Sequence, residues 1–178
     1  LYQDHADVVI NVVDASSLES NLFLTFQLLE LGVPCIVALN MQDIAASQNI
    51  TIDAAALSAR LGCPVVSLTS TKGDGIAQLK ALIDQPHIYR APERVQYPAA
   101  IEAAIEQLSL QMSATLAPQK RYWLALQLLE GDINSQKLCP ELLPSLPEIM
   151  QRAGGDTGVQ IADYRYRAIN AVCAAVSN

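Results

Sequence analysis

Residues 34–43 read P-C-I-V-A-L-N-M-Q-D, and the fold follows from this stretch. An unbroken apolar run, rich in β-branched residues and lacking the spacing of a helix face, describes a strand of a parallel sheet buried on both sides. The run ends in Asn40, Met41, Gln42 and Asp43, so an amide and a carboxylate stand at the carboxyl end of the strand. Ligands of open α/β sheets bind at that end. An Asp placed there can accept hydrogen bonds from the N1–H and exocyclic amine of guanine, a donor pair adenine lacks. A site built around such bonds strongly rejects analogues without them. Taken alone, two polar residues three apart after a strand also describe a turn or a helix cap.

Outward from this stretch the pattern repeats. Residues 7–14, D-V-V-I-N-V-V-D, are nearly continuous Val and Ile and predict another strand buried on both faces. Ser16 and Glu19 have the spacing of a capping box. The helix they open carries Leu22, Phe26 and Leu29 on one face and stops at Gly32. After Asp43 a linker is expected through Asn49, then a short helix from Asp53 to Leu61, closed by Gly62, with Arg60 suited to its last turn. A third strand over residues 64–68 runs into T-S-T-K-G-D-G at 69–75, where Asp74 can cap a helix burying Ile76, Leu79 and Ile83. Three strands alternating with three helices form a βαβ series with right-handed crossovers. Neighbouring parallel strands end on the same side, so residues 40–43 and 70–72 should flank one crevice.

Near Gln85 the character changes. Pro86, Pro92 and Pro98 punctuate a stretch followed by no strand-like run, which divides the chain into an α/β part at 1–85, a linker at 86–98 and an all-α part at 99–178. Ile101, Ile105, Leu108 and Met112 form a helical stripe. Y-W-L-A-L-Q-L-L at 122–129 is apolar on almost every side and belongs at a bundle centre, ended by Gly131. A short helix from about Pro147 to Arg152 stops at Gly154 and Gly155, and Ile161, Tyr164, Ala168, Val172 and Ala175 mark a long last helix. Glu130 and Asp132 beside Gly131 read as a solvated helix end or as an inter-domain contact. Tyr164 and Tyr166 read as a core-and-rim alternation or an interface, and Asp14 as a cap or a group facing the crevice.

The 178 residues are 51% hydrophobic and 16% charged, a packed globular composition. A formal net charge of −7 with 11 scattered Lys and Arg residues argues against nucleic-acid binding. No apolar run is long enough for a membrane span, so the chain reads as soluble. Cys35, Cys63, Cys139 and Cys173 are far apart in sequence with no C-x-x-C; Cys35 and Cys63, each at the start of an apolar run, read as small buried thiols, and a reducing cytoplasm fits. His5 and His87 have no neighbours at ligand spacing, and no metal site is expected.

The N-x-x-D of Asn40 and Asp43 resembles the base-reading motif of guanine-nucleotide-binding domains. Ser70-Thr71-Lys72 resembles their second base-contacting turn, whose backbone amide meets the guanine carbonyl oxygen; here that amide belongs to Thr71. The segments V-I-N-V-V-D-A-S-S-L-E, L-T-F-Q-L-L-E-L-G-V-P-C-I-V-A-L-N-M-Q-D, L-S-A-R-L-G-C-P-V-V-S-L and W-L-A-L-Q-L-L-E-G-D resemble the cytoplasmic region of ferrous-iron transport protein B, the FeoB family of bacterial iron transporters. Met41 fits this family, which resembles N-M-x-D where other GTPases carry Lys.

The resemblance implies a Ras-like P-loop NTPase G domain, here only its carboxyl-terminal half, followed by a helical domain that stabilises the GDP-bound state. A membrane region conducting Fe(II) would follow, placing the parent protein at the cytoplasmic face of the bacterial inner membrane. Asn40, Met41, Asp43, Ser70, Thr71 and Lys72 would then bind the base of GTP or GDP. The sequence given contains no G-x-x-x-x-G-K-[ST] and no D-x-P-G; the phosphate cradle and Mg²⁺ are therefore expected only in the intact protein. The chain alone is expected to be inactive. Its partners would be the missing amino-terminal half of the G domain, the membrane region and, through the free edge of the strand at 7–14, a second copy. Two alternatives stay open: another bacterial GTPase acting in translation or on tRNA, and a non-catalytic helical interaction module.

Overall fold

A computed structural model describes residues 6–69, 73–85 and 95–177. Strands β1 (Val9–Asp14), β2 (Cys35–Asn40) and β3 (Val65–Ser67) form a parallel sheet in the order β1-β2-β3. Helix α1 (Leu18–Leu31) follows β1, α2 (Gln42–Ser47) and α3 (Ala54–Leu61) lie between β2 and β3, and α4 (Ile76–Ile83) follows β3. The remaining helices are α5 (Ala99–Gln111), α6 (Pro118–Leu129), α7 (Ile133–Leu138), α8 (Leu146–Arg152) and α9 (Thr157–Val176). This is the expected α/β half followed by an all-α half. The chain forms two compact units, one over Val95–Tyr166 and the other combining the residues before Val95 with those from Arg167 onward.

In the first unit β2 is central and buried along its length as far as Leu39, which is why its sequence is an uninterrupted apolar run. α1 packs on β1 and β2 through Leu22, Phe26 and Leu29 and closes at Gly32 (φ 80°). Within that contact Asn11 Nδ2 donates to Thr25 Oγ1 at 2.7 Å, so the polar residue in the middle of β1 is satisfied without solvent. Asp53 caps α3, its carboxylate accepting from Ala55 N and Ala56 N, both at 2.9 Å. The last turn of α9 is tied to the same place: Asp53 N donates to Val176 O at 2.9 Å, and Ile52 bridges Ser177.

In the second unit Ile101, Ile105 and Leu108 of α5 pack on α6, whose Trp123, Leu124, Ala125, Leu126, Leu128 and Leu129 are all buried. This fills the core expected from the stripe at 101–112 and the apolar run at 122–129. Ile149 of α8 and Ile161 of α9 complete it.

Several expectations are corrected. β1 is an edge strand with only Asn11 and Val13 buried; Ile10 is exposed and Val12 is 60% exposed, so it is covered on one face and not two. The capping box at 16–19 does not form: Asp14 Oδ1 instead accepts from Ser16 N at 2.8 Å and Ser16 Oγ at 2.7 Å, holding a 3-10 turn over Ala15–Ser17. The expected linker to Asn49 contains α2. Asp74 does not cap α4 by its side chain, and α4 buries none of its residues. The buried face of α9 runs through Ile161, Arg165, Ile169 and Val176, one position off the expected stripe after its first member. The reason is that Arg165, which hydropathy assigns to solvent, is drawn inward by Glu130.

Candidate functional site

Register places three polar residues at one edge of the sheet. Asp14 on β1 lies opposite Asn40 on β2, and Leu39 lies opposite Ser67 on β3. Asp14 is occupied as the cap of its own turn, accepting from Ser16 N and Ser16 Oγ, and the β2 and β3 tails continue beyond it.

Beyond Asn40 the backbone of Met41 takes a left-handed conformation, φ 58° and ψ 31°. For a residue with a Cβ this costs roughly 1–2 kcal/mol. Such strain concentrates where a loop must present groups to a ligand. The turn starts α2 at once, leaving Met41 and Asp43 exposed and Asn40 half-buried at the strand end. Among the described residues, neither the Asn40 amide nor the Asp43 carboxylate has a hydrogen-bond partner.

The β3 tail leaves beside it. Leu68 N donates to Leu39 O at 2.7 Å, extending the ladder, and Gln42 Nε2 donates to Ser67 Oγ at 2.7 Å, tying the two tails directly. The chain then closes on itself: Thr69 N donates to Asp74 O at 3.2 Å and Gly73 N to Thr69 O at 2.9 Å. Ser70, Thr71 and Lys72 lie outside the described residues; Thr69 and Gly73, which bracket them, are joined by that last bond. The Gln42–Ser67 link was not foreseen, since it depends on a register that neither segment encodes. A polar residue ending each strand was the only available signal.

Gly75 holds this closure. Its φ is 84°, and a Cβ there would overlap the Ser67 carbonyl oxygen and lie 2.9 Å from Leu68 Cδ2. Gly75→Ala is therefore expected to destabilise the fold by about 1–3 kcal/mol through the backbone conformation, with the overlap adding to this. Thermal unfolding of the variant measures it, and a midpoint equal to wild type would show that the turn can relax away from β3.

Among the described residues no group of three or more His, Cys, Asp and Glu side chains is placed to hold a metal ion, and no helix is long and apolar enough to cross a membrane.

Two family descriptions divide the chain: "Ferrous iron transport protein B" matches residues 1–83 and "FeoB cytosolic helical domain" residues 97–178. The Fe(2+) transporter FeoB of Escherichia coli K12 is 49% identical over 176 residues, which is 97% of this chain and 23% of the relative. The Salmonella typhimurium FeoB gives the same identity and coverage. The chain thus spans about a quarter of the length of these relatives. Among solved structures, the cytosolic domain of L. pneumophila FeoB superposes with a TM-score of 0.87 at 31% identity, covering 99% of this chain and 70% of that one. An S. thermophilus NFeoB mutant bound to GDP gives 0.86 at 29% identity, covering 97% and 70%. S. thermophilus NFeoB bound to GDP.AlF4⁻ and K⁺ gives 0.84 at 29% identity, covering 96% and 70%. With both halves matched in order and the strand-end geometry in place, the chain belongs to the FeoB family of ferrous iron transport proteins.

Proposed function

We propose that this chain carries the guanine-reading half of the nucleotide site in a GTP-binding, GTP-hydrolysing regulator of Fe(II) uptake across the bacterial inner membrane. One observation carries the reading: the β2 and β3 tails leave the same end of the sheet, are joined through Gln42 and Ser67, and present an Asp43 carboxylate that has no partner among the described residues. Asp43 accepts from the N1–H and exocyclic amine of guanine. Asn40 braces the strand end, and Met41 lays its flexible stem along the base. Thr71 offers its backbone amide to the guanine carbonyl oxygen, with Ser70 and Lys72 closing the pocket. The GDP held by the S. thermophilus relative supports the ligand class.

Residues 1–85 then form part of the G domain, 86–98 the connection and 99–178 the helical domain. Phosphates and Mg²⁺ are handled by the rest of the parent protein. The chain alone is not expected to turn over GTP; sustained hydrolysis by it in purified, folded form would refute this. The deciding measurement is competition of GDP and ADP against a fluorescent guanine nucleotide on the intact protein. Equal competition by the two would defeat the proposal.

β1 adds an expectation about assembly. Among the described residues it is an edge strand with no second neighbour, and Ile10 and Val12 stand exposed on it. Such edges pair with other chains unless charge or proline blocks them. The chain is expected to self-associate at high concentration in sedimentation velocity, and Val12→Lys to suppress it. Wild type remaining monomeric throughout would count against the edge as an interface.

A further inference from the structure

Two thiols at the opposite end of the sheet have no part in nucleotide binding. Val37 on β2 is opposite Val65 on β3, and Val37 N donates to Pro64 O at 2.9 Å. Cys35 opens β2 and Cys63 lies two residues before β3, and their side chains are close enough to share a hydrogen bond. Neighbouring strands are about 4.8 Å apart, inside the roughly 4.4–6.8 Å Cα separation that a disulfide spans. Ser58 Oγ donates to Cys63 O at 2.7 Å and fixes that backbone. The residues are 5% and 7% exposed, so only a very small reagent reaches them.

We propose that Cys35 and Cys63 form a peroxide-reactive dithiol, oxidised to a disulfide between the β2 and β3 segments. The sulfurs are chemically unequal: the Cys63 thiol donates to Cys35, holding the Cys35 thiol below its ordinary pKa and Cys63 above it. Cys35 is therefore the nucleophile. Its thiolate attacks one oxygen of hydrogen peroxide and breaks the O–O bond; the departing hydroxide takes a proton and leaves as water, and Cys35 becomes a sulfenic acid. The Cys63 sulfur then attacks the Cys35 sulfur and breaks its S–O bond, losing its own proton as a second water leaves. Two thiols and one peroxide give one disulfide and two waters. Burial raises the pKa of Cys139 and Cys173, and neither has a thiol partner of this kind among the described residues.

Trypsin cuts after Arg60, between the two cysteines, so a Cys35–Cys63 bond survives digestion as a linked peptide pair. In the intact protein titrated with hydrogen peroxide, that pair is expected to accumulate while Cys139 and Cys173 stay alkylatable, and dithiothreitol to reverse it. Glutathione disulfide, too bulky for the site, is expected to leave Cys35 unmodified. Cys63→Ser should give a Cys35 sulfenic acid trapped by dimedone, and Cys35→Ser should leave Cys63 reduced. Oxidation of Cys139 or Cys173 before the pair, or peroxide leaving both thiols free, would overturn the proposal; the wild-type map decides this even if a serine variant fails to fold. Because no nucleotide is involved, the outcome is independent of guanine recognition.

Discussion

Asp43→Asn in the intact protein is expected to weaken GDP binding by roughly 100-fold and to shift preference toward xanthosine diphosphate. Hydrogen bonds to a charged group contribute about 1.5–3 kcal/mol each, and the role proposed for Asp43 is to accept two from the base. The substituted amide can still accept from N1–H, but it turns an N–H donor toward the guanine amine, itself a donor. A loss of about 3 kcal/mol is about a hundredfold in affinity. Xanthine carries a carbonyl where guanine carries that amine, so the Asn pairs with it at both positions. Competition of the two diphosphates against a fluorescent guanine nucleotide reads the exchange. If GDP binds the variant as it binds wild type, Asp43 does not face the base, and the carboxylate at the end of β2 is only a solvated turn residue.

The second large effect is on stability and lies in the helical unit. Arg165 has no solvent-exposed side-chain surface; its Nη1 lies 2.7 Å from Glu130 Oε1 and its Nη2 3.1 Å from Oε2, a two-pronged pairing of guanidinium and carboxylate. Gln127 Nε2 also donates to Glu130 Oε2 at 2.9 Å, and the Glu130 side chain is only 18% exposed. Beside them Thr157 Oγ1 donates to Leu129 O at 2.6 Å, and the position of a Cβ on Gly158 is 3.4 Å from Glu130 O, so α6 and the start of α9 meet closely. Removing one partner of a buried ion pair leaves the other charge uncompensated, at a cost of about 3–5 kcal/mol. Glu130→Ala is expected to lower the unfolding midpoint by about 10 °C, given about 2–4 °C per kcal/mol at this chain length. Glu130→Leu with Arg165→Met should recover much of the loss, since well-packed apolar pairs often match or exceed buried ion pairs. Circular dichroism melts of the single and double variants decide it. An additive double variant would mean that the two side chains are not coupled.

These two sites differ in how far the sequence exposes them. Asn40 and Asp43 stand at the end of an apolar run, and strand, strand end and polar pair are all local features. Glu130 and Arg165 are 35 positions apart, and each alone reads as solvated. Arg165 sits one position from Tyr164, the residue that hydropathy selects for the core, so periodicity alone places the buried face of α9 one residue off. α2 was missed because it has only six residues and begins at a left-handed Met, where no ordinary cap is written. The exposed face of β1 was missed because Val and Ile are equally compatible with one covered face or two.

Composition and local pattern alone determined that there would be parallel strands, that helices would end at Gly32, Gly62 and Gly131, and that a polar turn would follow β2. Each depends on residues adjacent in the chain, whose apolar spacing, backbone freedom and turn chemistry act over a few positions. Tertiary structure alone decided that Leu39 faces Ser67, that Gln42 ties the β2 and β3 tails, that Gly75 presses on the β3 carbonyl, and that Arg165 is buried against Glu130. Those contacts join distant segments, and strand register and the close packing of helices select them.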